Sequence, residues 1–314
     1  MKSDADLALQ HLGLGWRWLF AGARLVARLP YAAQMRMAHW SSWPLAALAG
    51  KRRAIVAANI GLCFPELSAR TQAQLVSRNL RSTAVSIFET SMAWFAPRSV
   101  TAQVVEVSGL QHLEKAMAAG KGALCLFSHF TMIELGGRLL SEALGRPMHQ
   151  MVRRHNNPAV EAVIDQARRH FCERTLEKRD LGDLLRSLRE GHPVGYAPDQ
   201  NFNLHMAFVP FFGQPAATLT MTSRIARLSR APVLCIWISR MPSGFGYHLR
   251  IDPPLAQFPS SDPVADTARI IALLETEVRK TPEQYLWAHR RFKTRPDGSS
   301  AVYADALLKD RHRR

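Results

Sequence analysis

Between Gly122 and Lys280 the chain alternates short apolar runs with stretches of helical period, and this alternation restricts the fold more than any other feature. Gly122 to Ser128 (GALCLFS), Pro147 to Val152, His192 to Ala197, Val233 to Ser239 and Tyr247 to Ile251 read as strands. Met132 to Leu144, Pro158 to Phe171, Leu181 to Glu190, Thr218 to Ser229 and Pro263 to Lys280 read as helices. Strands separated by helices build an α/β fold with a central, mostly parallel and largely buried sheet flanked by helices. No internal repeat or low-complexity segment interrupts it.

The region before this pattern is helical and amphipathic. From Leu12 to Leu29 the chain reads LGLGWRWLFAGARLVARL, followed by Pro30. On a helix, Arg17, Arg24 and Arg28 fall within an arc of roughly 40°, opposite Trp18, Leu19, Leu25, Val26 and Leu29. Such a helix suits a membrane interface, with arginines reaching lipid phosphates, and it suits equally a helix packed on its own domain. Trp16, Trp18, Trp40 and Trp43, with Lys51-Arg52-Arg53 behind them, favour the interface. Arg52 to Trp94 is helical with a break at Cys63–Glu66, and Ser68 marks a helix start. The expected organisation is a membrane-associating helical segment over 1–50, an α/β domain over 51–296 and a loosely ordered basic tail over 297–314.

Bulk properties narrow the function. Lys and Arg number 41 against 25 Asp and Glu, a formal charge of +16, which points to a polyanionic partner. Nucleic acid is not expected, because neither a zinc-finger spacing nor an RNP-like aromatic strand is present. Cys63, Cys125, Cys172 and Cys235 are widely and irregularly spaced, which argues against a disulfide scaffold and fits a reducing, cytoplasm-facing location. No transmembrane-length apolar run occurs, and Asp4 and Asp6 with no small-residue cleavage site speak against a cleavable signal peptide.

The strongest chemical signal is Ser128-His129-Phe130-Thr131-Met132-Ile133-Glu134, between a buried strand and a helix. Sites in open α/β sheets sit at the carboxyl ends of strands. Residues five apart on one helix diverge by about 140°, so His129 and Glu134 meet only with His129 in the turn and Glu134 in the helix. Glu134 would then orient the imidazole, His129 would deprotonate a hydroxyl, and amides at the helix start would face a developing oxyanion. Alone, two fixed positions are weak, and a histidine at a helix start is commonly a cap or a surface residue.

Six stretches change that weight: NIGLCFPELS (59–68), GKGALCLFSHFTMIELGGR (120–138), NNP (156–158), YAPDQNF (196–202), FVPFFGQPAAT (208–218) and PEQYLWAHRRFKTRP (282–296). In this order they resemble the lipid A late acyltransferases (lauroyl and myristoyl transferases) of the lysophospholipid acyltransferase superfamily, over most of the chain. The resemblance implies transfer of a fatty-acyl chain from acyl carrier protein to a hydroxyl of a lipid A precursor, forming an acyloxyacyl group. It implies His129 and Glu134 as the catalytic pair, and Arg168, Asp199 and Arg153 as substrate-binding residues. No cofactor is implied beyond the acyl carrier protein thioester as donor, and no metal is expected. The implied setting is the cytoplasmic face of the bacterial inner membrane, held by an anionic lipid surface or a single N-terminal anchor. The arginine-interrupted first helix favours in-plane attachment.

The residues themselves allow further roles. Arg168 suits a phosphate, as guanidinium does. Asp199 can order a substrate loop or pair with Arg168. His289–Arg295 packs four cations that face lipid phosphates, carrier protein or simply solvent. Phe208, Phe211 and Phe212 line an acyl groove or belong to the core. Transfer to another lipid hydroxyl and a non-catalytic basic membrane protein are the alternatives. A metal hydrolase is disfavoured because no H-E-x-x-H spacing occurs among the 12 histidines.

Overall fold

The computed structural model describes residues 12–177, 180–299 and 301–303. The alternating segment folds into a seven-stranded sheet. Its strands are β1 (Val105–Ser108), β2 (Ala123–Leu126), β3 (Met148–Val152), β4 (Cys172–Glu177), β5 (Pro193–Tyr196), β8 (Val233–Arg240) and β9 (Tyr247–Ile251). In space the order is β1-β9-β8-β2-β5-β3-β4. Every pairing is parallel except β8 with β9, so five strands run one way and β9 and β1 run against them at one edge. A separate antiparallel hairpin joins β6 (Met206–Phe211) to β7 (Gln214–Leu219).

The central strands are apolar because both faces are covered. All four residues of β2 and of β5 are buried. Burying each large apolar side chain contributes roughly 1.5–3 kcal/mol, so the two strands at the middle of the sheet anchor it. Gly122 immediately precedes β2 in a left-handed conformation (φ 63°), and a Cβ there would lie 2.5 Å from the His192 carbonyl oxygen. Only glycine lets the strand enter so close to its neighbour.

Helices α1 (Leu14–Ala27), α2 (Tyr31–Ala47), α3 (Gly50–Cys63) and α4 (Ala69–Phe95) precede the sheet. The break expected at Cys63–Glu66 separates α3 from α4, and the Ser68 hydroxyl caps α4 by accepting the Thr71 amide N–H. Later helices are α5 (Leu110–Ala118), α6 (Ile133–Leu144), α7 (Pro158–Arg168), α8 (Leu181–Arg189), α9 (Met221–Ser229) and α10 (Pro263–Lys280).

Several elements depart from the sequence reading, β1 and α5 among them, which lie in a stretch read as neither strand nor helix. Strand β4 (CERTLE) lies at the sheet edge, where polar residues face water, so its charge masks it. The β6–β7 hairpin occupies FVPFFGQPAAT, and Thr218–Leu219 end β7 where a helix start was expected. The tail is anchored at its beginning: Tyr303 is buried and its hydroxyl donates to the Asn59 side-chain oxygen at 2.6 Å. Residues 304–314 lie outside the described residues.

Helix α1 packs on α4 through a narrow stripe containing Phe20 and Ala27, and the Ser91 hydroxyl donates to the Ala23 carbonyl. Its other faces stay open, with Trp18 76% exposed. In and after α2, Trp40 and Leu48 are 81% and 82% exposed. Among the described residues no helix is long and apolar enough to cross a membrane. The four cysteines are free and buried, and burial pushes the Cys125, Cys172 and Cys235 thiols up to about 12. They act as small hydrophobes.

One buried ion pair ties α4 to the sheet. Arg240, at the end of β8, donates from Nε and Nη2 to the two Glu89 oxygens at 2.6 and 2.7 Å, and the Tyr247 hydroxyl donates to Oε1 at 2.9 Å. Arg240 also reaches Ser82 Oγ and Thr131 Oγ1, next to the His129 turn. Removing one partner of such a pair strands the other without solvent. Glu89→Ala is therefore expected to cost about 3–5 kcal/mol of unfolding free energy, measured by urea denaturation.

Candidate active site

His129 follows β2 and Asp199 follows β5, two adjacent parallel strands. The register pairs Leu126 with Tyr196, so His129 and Asp199 each stand three residues beyond a paired position. Neighbouring parallel strands thus deliver both side chains to the carboxyl end of the sheet, where α/β folds place their sites.

The contact between them is close. The His129 Nδ1–H donates to Asp199 Oδ1 at 2.6 Å, and the His129 backbone N–H donates to Oδ2 at 2.9 Å. The Tyr285 hydroxyl donates to the same Oδ2 at 3.0 Å. Asp199 is 2% exposed and His129 is 23% exposed, so the pair runs from the interior toward the surface. Burial alone would raise the Asp199 pKa. The charge of His129 and the hydrogen bonds from its ring and backbone outweigh it, and the carboxyl falls from 3.8 to about 2. With Nδ1 donating to a carboxylate, Nε2 is the ring nitrogen left for another partner.

Glu134 is engaged elsewhere. Arg168, at the end of α7, donates from Nε to Oε1 at 2.6 Å and from Nη2 to Oε2 at 2.9 Å, and Trp94 Nε1–H donates to Oε1 at 2.7 Å. Among the described residues no hydrogen bond joins Glu134 to His129. The imidazole partner expected from the sequence was Glu134, and the structure gives that place to Asp199. The reason is the turn: His129 leans toward β5, while Glu134 enters the first turn of α6 facing α4 and α7. Arg168 accordingly pairs with Glu134 and not with Asp199. Burial opposes the Arg168 charge, but Glu134 keeps its pKa above the ordinary value.

Arg168 also lines a cleft of about 350 Å³ with Arg153, Arg154, His155 and Asn156. Arg154 pairs with Glu177 at 2.9 Å. Arg153 is exposed and has no carboxylate partner among the described residues. Trp16 on α1 stacks edge-on against His155, so the first helix borders this cleft.

The segment after α10 straps the site together. Phe130 and Tyr285 form an antiparallel bridge, the Thr131 N–H donates to the Gln284 carbonyl and the Leu286 N–H to the His129 carbonyl. Two buried asparagines hold this strap: Asn79 donates to the carbonyls of Glu283 and Tyr285, Asn59 to those of Trp287 and His289. The amides of Phe130, Thr131 and Ile133 are taken by the Ser128, Gln284 and Phe130 carbonyls, so these three do not face an oxyanion. Arg291, read as part of a cationic face, is buried and donates to the Ala217 carbonyl and Thr218 Oγ1. Phe211 and Phe212 pack with Trp287 in the core, so the core reading holds for them. Tyr285 and Trp94 were not singled out in the sequence. Tyr285 lay within a quoted stretch, and Trp94 carried no signal.

Together, sheet and site define an α/β scaffold with a hydrogen-bonded His–Asp pair at the carboxyl ends of its central strands and an arginine-lined cleft. Residues 3–294 match the family model described as bacterial lipid A biosynthesis acyltransferase. The chain belongs to that family and is an acyltransferase. It is 35% identical over 298 residues to the lipid A biosynthesis lauroyltransferase of Escherichia coli K12, covering 94% of each chain. The palmitoleoyltransferase of the same organism is 34% identical over 297 residues, again 94% of each. The myristoyltransferase of that organism is 26% identical over 256 residues, 81% of this chain and 78% of that one.

The Asp199 pKa carries a stability consequence. A carboxyl whose folded pKa is depressed stabilises the fold above its unfolded pKa and loses that contribution as pH falls through the folded value. From 3.8 to about 2, this is on the order of 2 kcal/mol lost between roughly pH 4 and pH 2. Urea midpoints measured down this range are expected to fall more steeply for the native chain than for Asp199→Asn.

Proposed function

We propose that the protein transfers a fatty-acyl chain from the thioester of acyl carrier protein to a hydroxyl of a lipid A precursor, with His129 as general base. The single observation that carries this is the His129 ring, fixed through Nδ1 by an ionised buried carboxylate. Nε2 removes the acceptor hydroxyl proton as its oxygen attacks the thioester carbonyl carbon. The tetrahedral adduct collapses, the carbon–sulfur bond breaks, and the imidazolium returns the proton to the departing thiolate. Asp199 stays ionised and stabilises the imidazolium, as the third member of a catalytic triad does. No acyl-enzyme forms, and the four buried thiols with raised pKa values are poor nucleophiles.

Arg168 and Arg153 in the cleft suit phosphate, the group common to a lipid A precursor and the carrier's pantetheine arm. Glu134 and Trp94 set the Arg168 fork, so Glu134 contributes by positioning a substrate-binding arginine. The exposed Leu14, Trp18, Leu25, Trp40, Trp43 and Leu48 support peripheral attachment to an anionic membrane surface, with Arg17 and Arg28 exposed among them. The bacterial inner membrane, at its cytoplasmic face, is the setting that goes with this substrate.

The test is mass spectrometry of lipid A from cells lacking the gene, complemented by the native chain or by His129→Ala. One acyl chain is expected to be missing, restored by the native chain and not by the variant, whose transfer rate falls ~10²–10⁴-fold. An unchanged lipid A profile in the deletion strain would overturn the acceptor assignment in favour of another lipid hydroxyl.

A further inference from the structure

At the amino ends of the same strands, away from His129 and Asp199, three metal-ligating side chains converge. His149 is the second residue of β3, Glu173 the second of β4, and His192 immediately precedes β5. The parallel pairing of β4, β3 and β5 brings them together across 44 residues of sequence, so no local spacing announces them. We propose that His149, Glu173 and His192 form a binding site for a divalent transition-metal ion of the zinc type.

The spacing supports this. Glu173 Oε2 lies 3.7 Å from His149 Nε2 and 3.8 Å from His192 Nδ1, and one donor atom from each residue falls within 4.8 Å of the others. Ligands about 2.0–2.1 Å from a tetrahedral zinc stand roughly 3.3 Å apart, so closure needs about half an ångström between Glu173 and each imidazole and at most about 1.5 Å between the two rings. The two imidazoles stack at 4.0 Å with planes 17° apart, so binding one ion requires the outer ring, His192, to turn out of the stack.

His149 is the buried member of the cluster. Its Nδ1 has no hydrogen-bond partner, and Nε2 stands beyond hydrogen-bond distance of Glu173. Nδ1 is not the nitrogen that faces the cluster; Nε2 is, and there its contact with Glu173 is the loose one that an ion between them would replace. Two imidazoles and one carboxylate, with water completing the shell, select zinc-like ions over calcium or magnesium, which prefer all-oxygen ligands. The groups facing the cluster from neighbouring elements are Arg174, already paired with Asp183 at 2.8 Å, and Arg146, whose Nη2 lies 3.5 Å from His192 Nδ1. Arg146 is exposed and competes with the ion, which must displace it.

The experiment uses full-length protein without a histidine tag, in detergent. Zinc and magnesium are titrated by calorimetry and thermal unfolding into the native chain, Glu173→Gln, His192→Asn and Arg146→Ala. Expected is one equivalent of zinc with a rise in Tm of roughly 5 °C at a hundredfold excess over Kd. Glu173→Gln and His192→Asn weaken binding at least about tenfold and remove the rise, Arg146→Ala tightens it, and magnesium does nothing. The same zinc affinity in the native chain and Glu173→Gln, or an equal response to magnesium, would overturn the site. Because these side chains lie at the far end of the sheet from His129, this outcome is independent of the acyl-transfer reading.

Discussion

A carboxylate withdrawn from water is destabilising by several kcal/mol unless its oxygens are engaged, and the arrangement around Asp199 meets that condition from two directions. The His129 ring and backbone approach from the β2 side, and Tyr285 approaches from the strap. The same contacts that make burial tolerable also fix which imidazole nitrogen is free. The tautomer of His129 and the packing of the site therefore depend on one set of hydrogen bonds, and a change that relaxes the strap relaxes the imidazole.

The same network reaches back to helices remote from His129. Asn59 on α3 and Asn79 on α4 are buried, and each grips two alternate carbonyls of the segment 283–289. That segment in turn bonds the backbone on both sides of Phe130. The helical region clamps the His129 turn on one side and leaves indoles and leucines exposed on the other. Trp94 continues the same logic at the end of α4, where it reaches Glu134.

Much of the fold was legible because its signals are local. Apolar runs such as GALCLFS report burial on both faces, and Ser68 reports a cap through its own hydroxyl. His129 was legible for the same reason, since a polar residue directly after a buried run marks a strand's carboxyl end. Its partner was not. Asp199 stands beside His129 only because β5 is inserted next to β2 in the sheet order, and that order is a property of tertiary packing. Glu134, nearest in sequence, was the natural candidate, and only the direction of the turn excludes it from the imidazole. Strand β4 was hidden by its edge position, and the β6–β7 hairpin by prolines and phenylalanines that carry no strand alternation. Arg291 shows the converse error: a cation in a charged run reads as surface, yet carbonyl and hydroxyl acceptors allow it to be buried.

The central claim is a division of labour, with Asp199 serving the base and Glu134 serving the substrate-binding arginine. Steady-state kinetics of acyl transfer for Asp199→Asn and Glu134→Gln, measured against both donor and acceptor, test it most directly. The account predicts that Asp199→Asn lowers kcat by about 10²–10⁴ with little change in KM, because the tautomer and imidazolium lose their support. It predicts that Glu134→Gln acts mainly on KM, through a loosened Arg168. A large loss of kcat in Glu134→Gln at unchanged KM, with Asp199→Asn near native, would contradict it and return the imidazole to Glu134.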